Sequence, residues 1–201
     1  MKKTNFVKDA LILFVITLIS GALLGLVYEI TLEPIQATQE QAKQDAYREV
    51  LADAASFEDV ADIASLIESS AAALTEGGYG TVDHAVNALD SSGNVIGYVI
   101  NASSTGFGGA IQISVGIAND GTVGGIAFLS ISETAGLGMN AKNESFYSQF
   151  AGKNVDAFEV TKSGATSDNE IDALSGATIT SNAVANAVNT AIYFKQNYLY
   201  K

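Results

Sequence analysis

The chain has 201 residues, 48% of them hydrophobic and 16% charged, with a formal net charge of −12 and a pI of about 4.3. That composition suits one packed domain plus an appendage and excludes a disordered chain, while the negative balance argues against binding nucleic acid. Cysteine is absent and His84 is the lone histidine, so disulfides, thiolate nucleophiles, iron–sulfur clusters and Cys/His zinc sites are excluded and any redox chemistry falls to an organic cofactor.

The first predicted element is a transmembrane helix. Ala10 to Tyr28 (ALILFVITLISGALLGLVY) carries no charge over nineteen residues, which at about 1.5 Å per residue comes close to the ~30 Å hydrocarbon core of a bilayer. Lys2, Lys3 and Lys8 precede it, and Glu29 and Glu33 follow. The positive-inside rule therefore places the N-terminus in the cytoplasm and the rest of the chain on the extracytoplasmic side of the cell membrane. A cleaved signal peptide is disfavoured by the length of the apolar run and the absence of a clear A-x-A site. Gly21 and Gly25 form a G-x-x-x-G pair that permits close approach of another helix, although glycine is also simply tolerated in lipid.

Residues 36–74 read as a helical connector, with Val50, Leu51, Ile63, Leu66 and Ile67 as intermittent apolar contacts. Within it, Glu58, Asp59 and Asp62 read as a solvated acidic face without the pattern of a chelating loop. The chain breaks at Gly77-Gly78-Tyr79-Gly80, and the period then changes to that of strands. VDHAVNALD and VIGYVINAS flank Ser91-Ser92-Gly93-Asn94, and GAIQISVGIA and TVGGIAFLSIS flank Asn119-Asp120-Gly121. These predict two hairpins, hence four antiparallel strands, with His84 an ordinary strand residue. A short helix is expected from Lys142 to Phe150, burying Phe146, Tyr147 and Phe150. A long one follows from about Thr180 to Tyr198, with Val184, Ala187, Val188, Ala191 and Ile192 on one face and Asn182, Asn186 and Asn189 largely elsewhere. The expected fold class is α+β: a transmembrane helix followed by a mainly antiparallel sheet packed with helices, divided into residues 1–30 (N-terminus and anchor), 31–76 (connector) and 77–201 (globular domain).

Chemistry concentrates where a loop enters the last helix, at Asp172-Ala173-Leu174-Ser175-Gly176-Ala177-Thr178-Ile179-Thr180-Ser181. Gly176 allows close backbone approach, Ser175, Thr178, Thr180 and Ser181 carry hydroxyls, and a helix start offers free N–H groups and the positive end of a dipole to a phosphate. The same letters also spell a plain serine or threonine N-cap.

This segment resembles the flavinylation motif of FMN-binding domains, Asp-x-x-Ser-Gly-Ala-Thr, found in the G subunit of the Rnf electron-transport complex and in the C subunit of the sodium-pumping NADH:quinone oxidoreductase. The resemblance implies that a flavin transferase joins FMN by a phosphoester to the motif's last threonine, here Thr178, with Ser175, Gly176, Ala177 and Thr180 around it. Ser163-Gly164-Ala165-Thr166 repeats the four letters but has Val160 in place of the aspartate and leads into a polar loop, so Thr178 is preferred. Glu133-Thr134-Ala135-Gly136-Leu137-Gly138 resembles the family's Glu-Thr-Pro-Gly-Leu-Gly, and Thr105-Gly106-Phe107-Gly108-Gly109 its glycine–aromatic–glycine turn. Glu133, Thr134, Gly136, Leu137 and Gly138 are thereby implied to line the FMN pocket. Ala135 replaces the usual proline, and Ile131 stands where many members have histidine.

The resemblance covers nearly the whole chain, and the short length favours the Rnf protein over its longer counterpart. It implies a membrane-anchored flavoprotein that relays electrons among the other membrane subunits of an ion-translocating ferredoxin:NAD⁺ oxidoreductase and has little turnover alone. The alternatives are an FMN-domain subunit of another membrane reductase, and an anchored binding module whose Ser-Gly-Ala-Thr is only a helix cap.

Overall fold

The structure, a computed structural model, describes residues 6–199; Lys2 and Lys3, used above to orient the anchor, lie outside them. The chain divides into two compact units, Met1–Ala42 and Lys43–Lys201. The first helix, α1, runs Phe6–Val50 and includes Pro34. In the first unit its large apolar side chains from Phe6 to Ile30, and Ile35, are exposed, while Leu32 is half-buried. This is the one helix among the described residues that is long and apolar enough to cross a membrane.

In the second unit five antiparallel strands form a meander in the order β1–β2–β3–β4–β5. They are β1 (Ser56–Asp59), β2 (Thr81–Leu89), β3 (Val95–Thr105), β4 (Ala110–Ala118) and β5 (Val123–Ser130). Both predicted hairpins are present, and the α+β class with its mainly antiparallel sheet holds. The helical reading of residues 36–74 is corrected. Helix α1 ends at Val50, β1 follows, and α2 occupies Ile63–Glu76. Strand β1 has one half-buried side chain, Phe57, and three exposed ones. It forms because the edge of β2 offers a backbone ladder, with Phe57 opposite Ala88, and because Phe57 packs on Tyr47 at 5.4 Å between ring centroids. Asp59, read as part of a solvated helical face, instead lies on this strand and accepts a hydrogen bond from His84 Nε2 at 2.9 Å.

The sheet has two differently covered faces. Ile100, Ala102, Ile111, Ile113, Val115 and Ile117 alternate onto one face, where they pack with Val184, Ala187, Val188, Ala191 and Phe194 of α4 (Thr178–Phe194). Val86, Val99 and Ala127 point the other way and bury Ala46, Tyr47 and Val50 at the end of α1. On that second face Ser114 donates to Asn101 Oδ1 (2.8 Å) and Asn101 Nδ2 donates to the Tyr47 hydroxyl (2.9 Å), satisfying three buried polar groups. The backbone of Val50 sits so close to the sheet that a Cβ on Gly116 or Gly124 would strike its carbonyl oxygen.

Beyond β5 the expected short helix is a chain of three pieces: a 3₁₀ turn (Gly138–Lys142), a single α-turn, α3 (Glu144–Tyr147), and a 3₁₀ turn (Ser148–Phe150). Phe146 and Phe150 are buried, and Tyr147 packs partly buried against the core. Two three-residue strands absent from the sequence reading, β6 (Glu159–Thr161) and β7 (Glu170–Asp172), pair in parallel. Helix α4 then starts two residues earlier than expected, at Thr178, and continues as a π-helical turn over Lys195–Leu199. The buried Lys195 closes this end by donating from Nζ to the carbonyl of Asn119 in the β4–β5 turn, at 3.0 Å. Burial lowers its pKa, and the charge of Asp120 counters that in part.

Candidate functional site

Three loops converge where the C-terminal end of β3, the segment after β5 and the start of α4 meet. Between them lies a cleft of about 360 Å³ lined by Phe107, Glu133, Thr134, Leu137, Gly138, Gly176, Ala177, Thr178, Ile179 and Thr180. That volume falls within the ~300–1,000 Å³ typical of small-molecule sites. Its walls are unusual for this unit. Past residue 42 only four large apolar side chains are exposed among the described residues (Val95, Phe107, Leu137 and Ile179), and the last three line the cleft. Phe107 is 71% exposed. Apolar groups left at one open place in an otherwise polar surface mark a site rather than a packing failure.

The polar end of the cleft is the start of α4. Ala177 occupies the N-cap position and no side chain caps the helix, so the serine or threonine cap that these letters could spell is not formed. The hydroxyls of the motif divide sharply. Ser181 is buried; its Oγ donates to the Ala177 carbonyl (3.0 Å) and accepts the N–H of Leu174 (2.9 Å). Thr180 is buried and donates to Glu133 Oε2 at 3.1 Å. Ser175 is exposed and lies outside the lining. Among the described residues, Thr178 is the one motif threonine that faces the cleft with its hydroxyl free of any hydrogen bond to the protein. Gly176, at φ +73°, turns the chain into the helix in a conformation glycine adopts without strain, and a Cβ there would come within 3.2 Å of Leu137 Cδ2.

Of the other residues singled out by sequence, Glu133, Thr134, Leu137 and Gly138 line the cleft, and Gly136 does not. Gly136 instead supplies the carbonyl that accepts from Asn140 Nδ2 at 2.9 Å, which shapes the turn. Two lining residues were not expected from the sequence. Phe107 stood out only as the aromatic of a glycine-flanked turn. Ile179 had a readable signal: at helical spacing it falls on the face of Asn182 and Asn186, where an isoleucine gains nothing from the core.

The second Ser-Gly-Ala-Thr stands elsewhere, in the loop from β6 to β7. There Asp172 Oδ1 accepts the N–H of Ala165 at 2.7 Å. Glu170 Oε2 accepts the N–H of Thr166 (2.6 Å), its hydroxyl (2.9 Å) and the N–H of Ser167 (3.3 Å). The backbone and hydroxyl bonds of Thr166, then those of Ser167, hold the Glu170 carboxyl below its ordinary pKa. Thr166 is therefore already engaged.

A flavin phosphate group fits the α4 site on the structure's own terms. The cleft joins a free hydroxyl, an uncapped helix start and a dipole favouring an anion to apolar walls suited to the face of an aromatic ring system.

Comparison with known proteins identifies the family of the chain. Residues 106–193 match the FMN-binding domain family, and residues 1–50 match the RnfG N-terminal region. The chain is 35% identical over 179 residues to the G subunit of the ion-translocating oxidoreductase complex of Methanosarcina acetivorans, covering 89% of this chain and 88% of that one. It is 37% identical over 199 residues to the G subunit of the Na(+)-translocating ferredoxin:NAD(+) oxidoreductase complex of Acetobacterium woodii, covering 94% and 91%. The G subunit of the proton-translocating ferredoxin:NAD(+) oxidoreductase complex of Clostridium ljungdahlii is 36% identical over 174 residues, covering 87% and 83%. Among solved structures, NqrC of Shewanella oneidensis superposes with a TM-score of 0.50 at 25% identity, over 56% of this chain and 59% of that one.

Proposed function

The chain belongs to the G-subunit family of ion-translocating oxidoreductase complexes, and on that premise we propose that it is the membrane-anchored FMN carrier of such a complex, with the flavin joined by a phosphoester to Thr178. The family supplies the oxidoreductase role and FMN as cofactor. The covalent bond and its position rest on one observation: of two threonines in identical four-residue settings, only Thr178 presents an unengaged hydroxyl at the mouth of an apolar cleft.

FMN supplies the capacity to accept and release electrons singly or in pairs. The residues of this chain hold it. The Thr178 oxygen would become the ester oxygen by displacing the leaving group of an activated flavin phosphate donor supplied to the transferase, its proton leaving with that group, so that the chain gains FMN less one water. The first turn of α4, free of a side-chain cap, faces the remaining phosphate charge, an interaction worth about 0.3–1 kcal/mol. Retention comes from the covalent bond, since that term alone is too small. Phe107, Leu137 and Ile179, all exposed at the cleft, would offer the ring apolar walls and shelter it in part from water. The anchor keeps the carrier beside its partners, the other membrane subunits, so that electrons pass between their redox centres and the flavin. Maturation requires a flavin transferase, and the flavin domain works on the extracytoplasmic side, as the charges flanking the apolar run imply.

Co-expression of the full chain with a flavin transferase tests the attachment. The native protein is expected to fluoresce on a denaturing gel under ultraviolet light, with FMN less one water on the peptide that holds Thr178. A colourless protein in the presence of active transferase would remove the covalent reading. The cysteine-free sequence also permits a clean test of sidedness. In intact cells an Asn94→Cys variant should react with a membrane-impermeant maleimide and a Thr4→Cys variant should not; the reverse pattern would invert the topology.

A further inference from the structure

Sequence similarity presents Glu133 as one more residue lining a pocket. The geometry gives it a different part. Its Oε1 accepts the N–H groups of Phe107 (2.8 Å) and Gly108 (3.1 Å), and its Oε2 accepts the Thr180 hydroxyl (3.1 Å). A single carboxylate thus ties the β3–β4 turn to the first turn of α4, two residues from Thr178. The packing around it leaves no slack. A Cβ on Gly138 would lie 2.6 Å from Thr180 Oγ1 and 2.7 Å from Glu133 Oε2, and a Cβ on Gly106 would collide with Oε1. The group is half-buried, and among the described residues no lysine, arginine or histidine forms an ion pair with it. Its charge is met by dipoles alone.

We propose that Glu133 is a positioning residue with two effects on the flavin cleft: it fixes Phe107 against the start of α4, and its charge, held by dipoles rather than by a cation, makes the bound flavin harder to reduce. This rests on the flavin reading above. The first effect follows from the bonds. Phe107 carries the most exposed large apolar side chain of the unit, and its backbone is held by Glu133 from across the cleft. The second follows from electrostatics. Reduction adds electrons to a ring whose cleft has apolar walls, where a nearby negative charge is screened less than in water.

Two substitutions separate the effects. In Glu133→Gln the amide oxygen can still accept both N–H groups, and the amide nitrogen can donate to Thr180 Oγ1, so the links persist without the charge. Glu133→Ala removes both. Amide exchange is measured first on the flavin-free full chain in detergent. Glu133→Ala should speed exchange at Phe107 and Gly108 at least tenfold, and Glu133→Gln should restore slow exchange. Exchange unchanged in the alanine variant would overturn the positioning role. Redox titration of the loaded protein comes second. At a fixed ambient potential Glu133→Gln should raise the ratio of reduced to oxidised flavin about tenfold, a shift of about 30 mV for a two-electron couple. An unaltered potential in that variant would overturn the electrostatic role. The exchange measurement needs no flavin, so failure of the flavin reading and failure of the clasp register separately.

Discussion

Two stretches of this molecule share the letters Ser-Gly-Ala-Thr and share almost nothing else. In the first, Gly164 turns the chain at φ +91°, and the loop's N–H groups and the Thr166 hydroxyl are bound by Glu170 and Asp172. In the second, Gly176 turns it at φ +73°, and the chain passes straight into a seventeen-residue helix whose first turn has no side-chain cap. The chemistry available to a hydroxyl is set by which neighbours use the adjacent backbone donors. Two carboxylates close the first loop to an anion; an uncapped helix leaves the second open to one. Asp172 belongs to both, since it opens the second motif in sequence and holds the first loop in space. Its carboxylate therefore has a structural duty in the loop between β6 and β7, toward Ala165.

The largest test of this comparison is removal of each threonine in turn. Thr178→Ala is expected to abolish covalent flavin altogether, because Thr166 offers no substitute. Thr166→Ala should leave labelling at the native level. Both proteins should fold, since neither the cap of α4 nor any core contact depends on the Thr178 hydroxyl, and Thr166→Ala keeps the backbone bond from residue 166 to Glu170. Fluorescence and peptide mass mapping read the result, and flavin retained on Thr178→Ala would show that the two settings are equivalent after all.

A smaller effect is expected at the paired glycines. Each adopts the left-handed region, so alanine at either position should cost about 1–2 kcal/mol. The surroundings differ. A Cβ on Gly164 meets nothing within 4 Å, whereas one on Gly176 comes within 3.2 Å of Leu137 Cδ2, a wall of the cleft. Thermal melts should therefore show similar losses for Gly164→Ala and Gly176→Ala, while only Gly176→Ala should also slow flavin attachment. Equal labelling rates would mean that Leu137 gives way freely and that the wall is soft.

How much of this was legible in the sequence depended on whether local pattern or distant partner decided each element. The hairpins, the final helix and the apolar run announce themselves through periodicity and turn residues within a dozen positions; the hairpins stand where expected, the final helix begins two residues early, and the apolar run lies within α1, a helix long and apolar enough to cross a membrane. Strand β1 does not. Ser56–Asp59 has no alternation to read, and becomes a strand because β2, some thirty residues on, leaves an edge unpaired. Strands β6 and β7 are three residues long and flank a loop whose N–H groups are bound by Glu170 and Asp172, a device invisible in the sequence. The cleft was half legible. Its loops could be named from motif resemblance, but whether a hydroxyl would be free or engaged could not. Thr180 and Ser181 look as available in the sequence as Thr178 does, and the fold uses both for its own hydrogen bonds.

The most delicate test uses pH. Glu170 is the group whose ionised form the first loop requires, and its bonds to Thr166 and Ser167 hold its pKa below the usual 4.5. A carboxyl with a lowered folded-state pKa contributes its stabilisation in full above the unfolded value and loses it as the pH falls through the folded value. Order in the first loop should thus be constant from neutrality down to about pH 4.5 and decline only below that. Amide exchange at Thr166 and Ser167, corrected for the intrinsic pH dependence, is expected to trace this decline. Glu170→Gln should be flat over the same range, because its amide oxygen still accepts the N–H groups and does not titrate there. The first turn of α4 contains no acidic residue of its own, and the carboxylate bonded to it, Glu133 through Thr180, is removed in Glu133→Gln, so in that variant the amides of Thr178 and Ile179 should show no matching step. An acid transition that persists in Glu170→Gln would assign the loop's order to another group, and the contrast between the two threonines would then need a cause other than this carboxylate.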